Sequence, residues 1–403
     1  MTVEAVALAR ESAGPSSHAR RWTPEVVQGG EPAEPFTLGP GYLDQALLPV
    51  DLMREAYSRA LTEYGAAALG YGLDNGALDL RAALAQRAST VDGIPCAPEQ
   101  VLVTAGTTQA LNLVCTALAA RGDPVLVDTH SYDLGRQIIT DAGLPTRAVP
   151  GDSEGMDPAA LERAITSHRG RVGFLYLNPT FHNPTGIVVP RRRREELLRV
   201  AARHGVLVVE DDAYAELSLD GGSAPPSLAA LAGYHGVIRL GSFAKTLAPG
   251  LRLGWLQTNA ELAEKLVTRG AFVSGGCLNH TTSLAVTTLL RDGGYDRHLR
   301  WLRTQLAARR DALADVLRAR LPEEIDFALP GGGFFLWLRS AARVAEDDLV
   351  AAASRAGVGV APGARFGAHE QARIRLAYSF TSPRRLADAA ELLAAAWCQT
   401  LRG

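Results

Sequence analysis

The sequence predicts an α/β fold, with a mostly parallel central sheet flanked by helices and a smaller α+β domain toward the C-terminus. Two observations predict it. Up to about residue 290, short β-branched and apolar runs alternate with longer stretches of helical spacing. Beyond that point, long helical patterns are separated by short strands. A chain of 403 residues also exceeds one small core. The expected division is a mobile arm over 1–35, a large domain over 36–290 and a small domain over 291–403.

The first stretch, "MTVEAVALARESAGPSSHARRWTPEVV", is rich in Ala, Ser, Pro and Arg. It lacks the charged, apolar, small-residue order of a signal peptide, so it reads as the arm. "VLVTAG" (101–106) reads as a strand. "TQALNLVCTALAARGD" follows as a helix, with Leu111, Val114, Cys115 and Leu118 at helical spacing and Gly122 as the stop. "PVLVD" (124–128), "RVGFLYLNP" (171–179), "GVLVVEDD" (205–212) and "GVIRLGS" (236–242) repeat the strand theme. "PRRRREELLRVAARHG" (190–205) is a helix that opens with Pro190 and closes on Gly205. Its four arginines, followed at once by Glu195 and Glu196, read as a solvated face rather than a nucleic-acid patch. A helix over about 294–320 leads to the strands "GGFFLWL" and "RIRLAYS", with helices near 346–356 and 383–401.

Composition excludes several classes. Hydrophobic residues make up 47% and charged residues 21%, with a formal net charge of -2. Such a balance gives no pull toward nucleic acid or an anionic membrane. No apolar run approaches the eighteen or so residues of a membrane span. Cys96, Cys115, Cys277 and Cys398 form no CxxC pair, which argues against a zinc site or redox dithiol. No metal is expected, and scattered thiols fit a reducing cytoplasm.

In open α/β sheets, ligands bind at the carboxyl ends of strands, and the conspicuous polar residues follow strands here. "AGTTQAL" puts Gly106, Thr107 and Thr108 at a strand-to-helix junction. A helix N-terminus suits a phosphate, while simple threonine capping is the plainer alternative. "EDDAY" ends an apolar strand, so Asp211 could hold a proton on a heterocyclic nitrogen or could merely make a turn. "NPTFHNPTG" contains two Asn-Pro pairs, which fix the amide of Asn183 whether in a site or in a rigid loop. Lys245 stands in "GSFAKTLAPGLRLGW", among apolar and small residues. Desolvation lowers the pKa of an amine, and such a lysine can attack a carbonyl; otherwise its stem packs and its head reaches water. Arg252 could bind two phosphate oxygens. Together these pieces describe a phosphate cradle, a carboxylate for a ring nitrogen, hydrogen-bonding Asn and Tyr residues, and a lysine for an aldehyde. That set matches pyridoxal 5'-phosphate.

From about residue 36 to the C-terminus, the order and spacing resemble the fold-type I pyridoxal-phosphate enzymes, class I/II aminotransferases. The branch with aminoadipate, kynurenine and aromatic aminotransferases is the most similar. The marks are "AGTTQAL", "NPTG", "EDDAY", "SFAKTLAPGLRLGW" and "RIRLAYSF". The resemblance implies catalytic roles for Lys245, Asp211 and Tyr214. Lys245 would be the covalent attachment point, Asp211 would pair with the ring nitrogen, and Asn183 and Tyr214 would bond the ring hydroxyl. Tyr132 would stack on the ring face. Thr107, Thr108, Ser242 and Arg252 would hold the phosphate, with the Gly106 backbone nearby. Arg375 would clamp the substrate carboxylate, chosen over Arg373 by the motif match. Gly41 and Tyr71 would lie near the substrate, Tyr71 reaching over from a second copy in a homodimer. About 36–50 would pack near the small domain.

The implied reaction moves an amino group between an L-amino acid and a 2-oxo acid by a ping-pong route. The chain departs from the family pattern at Ala213, Ala244, His182 and Leu43. The altered N-terminal loop leaves open a pyridoxal-phosphate cyclase, eliminase or oxidase of antibiotic biosynthesis, acting on a specialised amino acid, an arginine-derived one among the options. A transcription regulator with an aminotransferase-like domain would need a winged-helix segment, and only about 35 poorly patterned residues precede the domain. No nucleic-acid or membrane partner is expected.

Overall fold

Residues 35–402, except Ser223, Cys277 and His369, are described by a computed structural model. The expected arm therefore lies outside the described residues apart from Pro35. Seven strands follow: the five apolar runs become β1 (Val101–Thr104), β2 (Val125–Asp128), β4 (Phe174–Leu177), β5 (Val208–Asp211) and β6 (Val237–Ser242), while β3 (Thr146–Val149) and β7 (Gly254–Gln257) are strands that the sequence reading did not single out. They form one sheet in the order β3-β2-β4-β5-β6-β7-β1. Every residue of β1, β4 and β5 is buried. Continuous burial rather than alternation is what helices on both faces of a parallel sheet produce.

Strands β2 to β6 pair in parallel. Strand β7 runs antiparallel to both β6 and β1. Its first residue, Gly254, pairs with Ser242 and Thr104, near the carboxyl ends of its neighbours. The chain just before β7, with Arg252, thus reaches the edge where β1 and β6 deliver Thr107 and Lys245. Gly254 is obligatory there, since a Cβ would fall 2.7 Å from the Gly106 Cα.

The second sheet comprises β8 (Ile325–Phe327), β9 (Phe335–Ser340), β10 (Ala361–Pro362) and β11 (Arg373–Ala377), antiparallel in the order β8-β9-β11-β10. Its core joins Leu338 and Leu376 to Leu313 and Leu317 of the helix Gly294–Arg320 and to Leu386 and Trp397 of the helix Pro383–Arg402. The Trp397 indole N–H donates to the Leu349 carbonyl at 2.9 Å. Earlier in the helix Gly294–Arg320, Leu299, Leu302 and Leu306 join the core that contains Phe243 and Leu247. The short strand Phe36–Thr37 pairs in parallel with Val358–Gly359.

The helix Arg191–Arg203 corrects one expectation. Arg191 and Arg192 are solvated and pair with Glu195 and Glu196. Arg193 and Arg194 are buried, at 7% and 0% exposure. Helical spacing puts Arg194 on the same face as Leu197 and Ala201. There its guanidinium donates to the carbonyls of Val189 (2.8 Å), Pro179 (3.1 Å) and Pro226 (3.3 Å) and to Thr180 Oγ1 (2.9 Å), with Glu210 at 3.6 Å. Loop carbonyls that no strand pairs need a buried donor, and a long fork of N–H groups reaches several at once. Among the described residues, no helix is long and apolar enough to cross a membrane.

Candidate active site

The apolar company of Lys245 has a structural cause. Beyond β6, Phe243 and Leu247 are 1% and 0% exposed and anchor the turn in the core. Lys245 between them is half-buried and enters the crevice at the strand ends. Its Nζ donates to the Gly41 carbonyl at 2.8 Å and lies 5.7 Å from the centre of the Tyr214 ring. Burial pulls its pKa down to about 8, opposed by the attraction of Asp211 and reinforced by Arg375 and Arg252. From behind, the turn is held by Tyr295, whose hydroxyl bonds Thr246 Oγ1 at 2.9 Å and also Glu216.

Asp211 closes β5 and is 7% exposed. Its Oδ2 accepts the Tyr176 hydroxyl at 2.7 Å, while its Oδ1 is buried without a hydrogen-bond partner. Burial raises its pKa; the Tyr176 hydroxyl and the nearby Ala213 amide counteract this in part. Tyr214 is 5% exposed and stands edge-on to Phe334 and Phe335. Burial raises the pKa of its phenol as well, keeping it protonated.

Asn183 follows β4 and precedes Pro184 through a cis peptide bond. Its amide N–H donates to Asn178 Oδ1 at 2.7 Å, and its own Oδ1 accepts from Arg375 at 2.8 Å. Arg375, on β11, is 3% exposed and sits 4.1 Å and 4.6 Å from the centres of Phe335 and Phe366. Its other terminal nitrogen donates to the Gly39 carbonyl at 2.5 Å, and its Nε has no partner. Burial and the nearby Arg365 lower its pKa to about 10. Arg373 opens β11, opposite Arg339 rather than Trp337.

At the other end of the crevice, Gly106 is the N-cap of the helix Thr107–Leu118 with φ of 87° and no side-chain cap bond. Arg252 lies over it; a Cβ on Gly106 would come 2.9 Å from the guanidinium. Arg252 donates to the Ala105 carbonyl at 3.1 Å. A cation therefore stands beside the free N–H groups of a helix start, the arrangement that receives a phosphate. Ser242 is 7% exposed and accepts the Ala244 amide at 3.1 Å. Thr107 is half-buried and Thr108 exposed. Tyr132 is half-buried at the start of the helix Asp133–Asp141 and shares packing space with Tyr176 above Gly135.

Among the substrate candidates, Gly41 lies against Phe335, where a Cβ would approach to 2.8 Å, and touches Lys245 through its carbonyl. Tyr71 is 88% exposed, so its own chain does not bury it. His182 is 7% exposed, with Nδ1 at 2.9 Å from Thr185 Oγ1 and Nε2 at 3.6 Å from Asp128. Both ring nitrogens face this chain's own groups, the pattern of a structural histidine. Leu43 is a core residue at 2% exposure. Sequence reasoning missed Tyr176 and Asn178. Each sits within or just after an apolar strand and reads there as core; only its polar atom, placed one strand from "EDDAY", hints at a partner.

The family model "Aminotransferase class I and II" matches residues 41–393. A 2-aminoadipate transaminase of Thermus thermophilus is 36% identical over 83% of this chain and 82% of its own length. The crystal structure of LysN, an α-aminoadipate aminotransferase from Thermus thermophilus complexed with N-(5'-phosphopyridoxyl)-L-leucine, is similar with a TM-score of 0.81. It is 33% identical and the match covers 91% of this chain and 93% of that one. Similarity extends to an uncharacterized HTH-type transcriptional regulator of Bacillus subtilis, YdfD, 31% identical over 90% of this chain and 74% of the regulator. A family model spanning most of the chain, set on a crevice that gathers the lysine, the carboxylate and the two arginines, makes this protein a member of the class I and II aminotransferases, and a transaminase.

Proposed function

We propose that the crevice binds pyridoxal 5'-phosphate and moves an amino group between an α-amino acid and a 2-oxo acid. The observation that carries this reading is Asp211 Oδ1, a buried carboxylate oxygen with no partner among the described residues. Leaving such an oxygen unpaired is costly, so it calls for a donor such as a protonated ring nitrogen. The uncapped helix start at Gly106 with Arg252 beside it suits the phosphate, with Ser242, Thr107 and Thr108 around it. Tyr132 would cover the ring face, and Asn183 and Tyr214 would hold the ring hydroxyl. When bound, the cofactor would supply an aldehyde for the amino group and a ring that accepts electrons.

The chain's own groups would do the rest. Lys245 Nζ, with its pKa lowered to about 8, is a base near neutral pH once its charge is lost. It would take the substrate α-proton and return it. Arg375 would grip the α-carboxylate with a fork already bonded to Asn183 and packed against Phe335 and Phe366. The Gly39–Gly41 segment touches both Arg375 and Lys245, so it would wall the substrate from water.

The exposed Tyr71, with Leu69 and Leu73 74% and 56% exposed beside it, supports a homodimer in which this stretch covers the partner's crevice. The lobes would divide within the helix Gly294–Arg320, which serves both cores. A cytosolic location fits the free Cys96, Cys115 and Cys398. The test is borohydride reduction of the purified protein followed by peptide mass spectrometry. A phosphopyridoxyl mass on the peptide containing Lys245 is expected; the mass on another lysine, or on none after cofactor addition, would refute the assignment.

A further inference from the structure

Tyr176 has no part in the roles above. It lies within β4 at 1% exposure and donates its hydroxyl to Asp211 Oδ2 at 2.7 Å, from one strand to the next. The fit is close. A Cβ on Gly135 would fall 2.8 Å from Tyr176 Oη and 3.0 Å from Tyr132 Cδ1, so position 135 leaves the phenol just enough room. Asp211 is therefore held with one oxygen occupied and the other, Oδ1, unpartnered. The remaining charged or titratable groups that act on Asp211 are Lys245, Asp212, Tyr132 and Tyr214. They act through space, by charge, while Tyr176 alone of these side chains reaches the carboxylate with a hydrogen bond.

We propose that Tyr176 is a positioning residue that decides where the proton rests between Asp211 Oδ1 and the cofactor ring nitrogen. The inference rests on the cofactor reading above. A carboxylate that accepts a strong hydrogen bond is a weaker base. Burial alone makes Asp211 a stronger base and would draw the shared proton onto Oδ1, leaving the ring neutral. The Tyr176 hydroxyl opposes that shift and keeps the proton on nitrogen, where it makes the ring a better electron acceptor. Only this one proton changes place. Tyr176 keeps its own, because burial and the Asp211 charge push its phenol well above the ordinary range.

The test uses holoenzyme loaded with cofactor labelled with ¹⁵N at the ring nitrogen. Its nitrogen chemical shift is followed from pH 6 to 9 in wild type and Tyr176→Phe, beside kcat and KM. The expected result is a protonated shift in wild type and a displacement toward the neutral ring in the variant. The kcat should fall about tenfold to a hundredfold, the range for one hydrogen bond to a charged group, with KM changed less. A variant with the wild-type shift, whatever its kcat, would overturn the proposal, because a merely structural loss leaves the proton on nitrogen. Should Tyr176→Phe fail to fold, 3-fluorotyrosine at position 176 keeps the shape and donates more strongly. It should keep the nitrogen shift at or beyond the protonated value of wild type, and a displacement toward the neutral ring would overturn the proposal. Wild-type protein that takes up no labelled cofactor would overturn the cofactor reading itself, an outcome recognisable before any variant is made.

Discussion

Replacing the central lysine should make the cofactor-free protein more stable at neutral pH and erase that gain at high pH. Lys245 has its folded-state pKa lowered from 10.5 to about 8 by burial. At about 1.4 kcal/mol per pKa unit, the shift corresponds to about 3 kcal/mol of destabilisation wherever the amine is charged in both states. The side chain is half-buried, so solvent screening reduces this to about 1–2 kcal/mol. Below pH 8 the folded and unfolded chains both carry the charge, and the folded state bears the full cost. Between 8 and 10.5 the unfolded chain holds more protons, so wild-type stability rises with pH. Above 10.5 neither is charged and the cost is gone. Lys245→Met cannot titrate, and it forfeits the bond to the Gly41 carbonyl, about 1 kcal/mol. The variant's advantage in urea unfolding, measured on cofactor-free protein at matched concentration, should be largest near pH 7. It should shrink to zero or reverse by about pH 10.5. An advantage independent of pH, or a variant less stable at pH 7, would refute the reasoning.

Three other outcomes are expected. Arg194→Met should lower stability by about 3–5 kcal/mol, seen as a lower urea midpoint, because three loop carbonyls lose a buried donor and buried Glu210 loses a neighbouring cation. Gly106→Ala should weaken cofactor binding about tenfold or more in a fluorescence titration, since it forces a side chain to a φ of 87° and against Arg252. Arg375→Lys should raise KM for the amino donor about tenfold to a hundredfold, because an ammonium cannot reproduce the fork held by Asn183 and the two phenyl rings.

Much of the site was legible because chemistry demanded unusual residues in unusual company. Lys245 stood out in an apolar stretch, and the structure supplies the reason: Phe243 and Leu247 anchor the turn while the lysine alone faces the crevice. Most of the parallel strands were legible as continuous apolar runs because both faces of the sheet are covered. Strands β3 and β7 were not, since "TRAV" and "GWLQ" each hold only two apolar residues beside polar ones or a glycine. The antiparallel course of β7 is nonetheless what brings Arg252 beside Gly106. Arg194 was misread as solvated because a run of four arginines looks like a surface; the helical period, applied residue by residue, separates the outer pair from the buried one. Tyr176 and Asn178 were invisible because each reaches Asp211, more than thirty residues on, and periodicity reports burial without reporting what a polar atom meets.

The most direct test of the account is the absorbance spectrum of the purified protein before and after a panel of amino acids. The account predicts the yellow band of a lysine-bound aldehyde cofactor. With a competent donor it should convert to the shorter-wavelength band of the amine form, releasing a 2-oxo acid, and it should be absent from Lys245→Ala. No band after cofactor addition, or a band indifferent to the lysine, would contradict it.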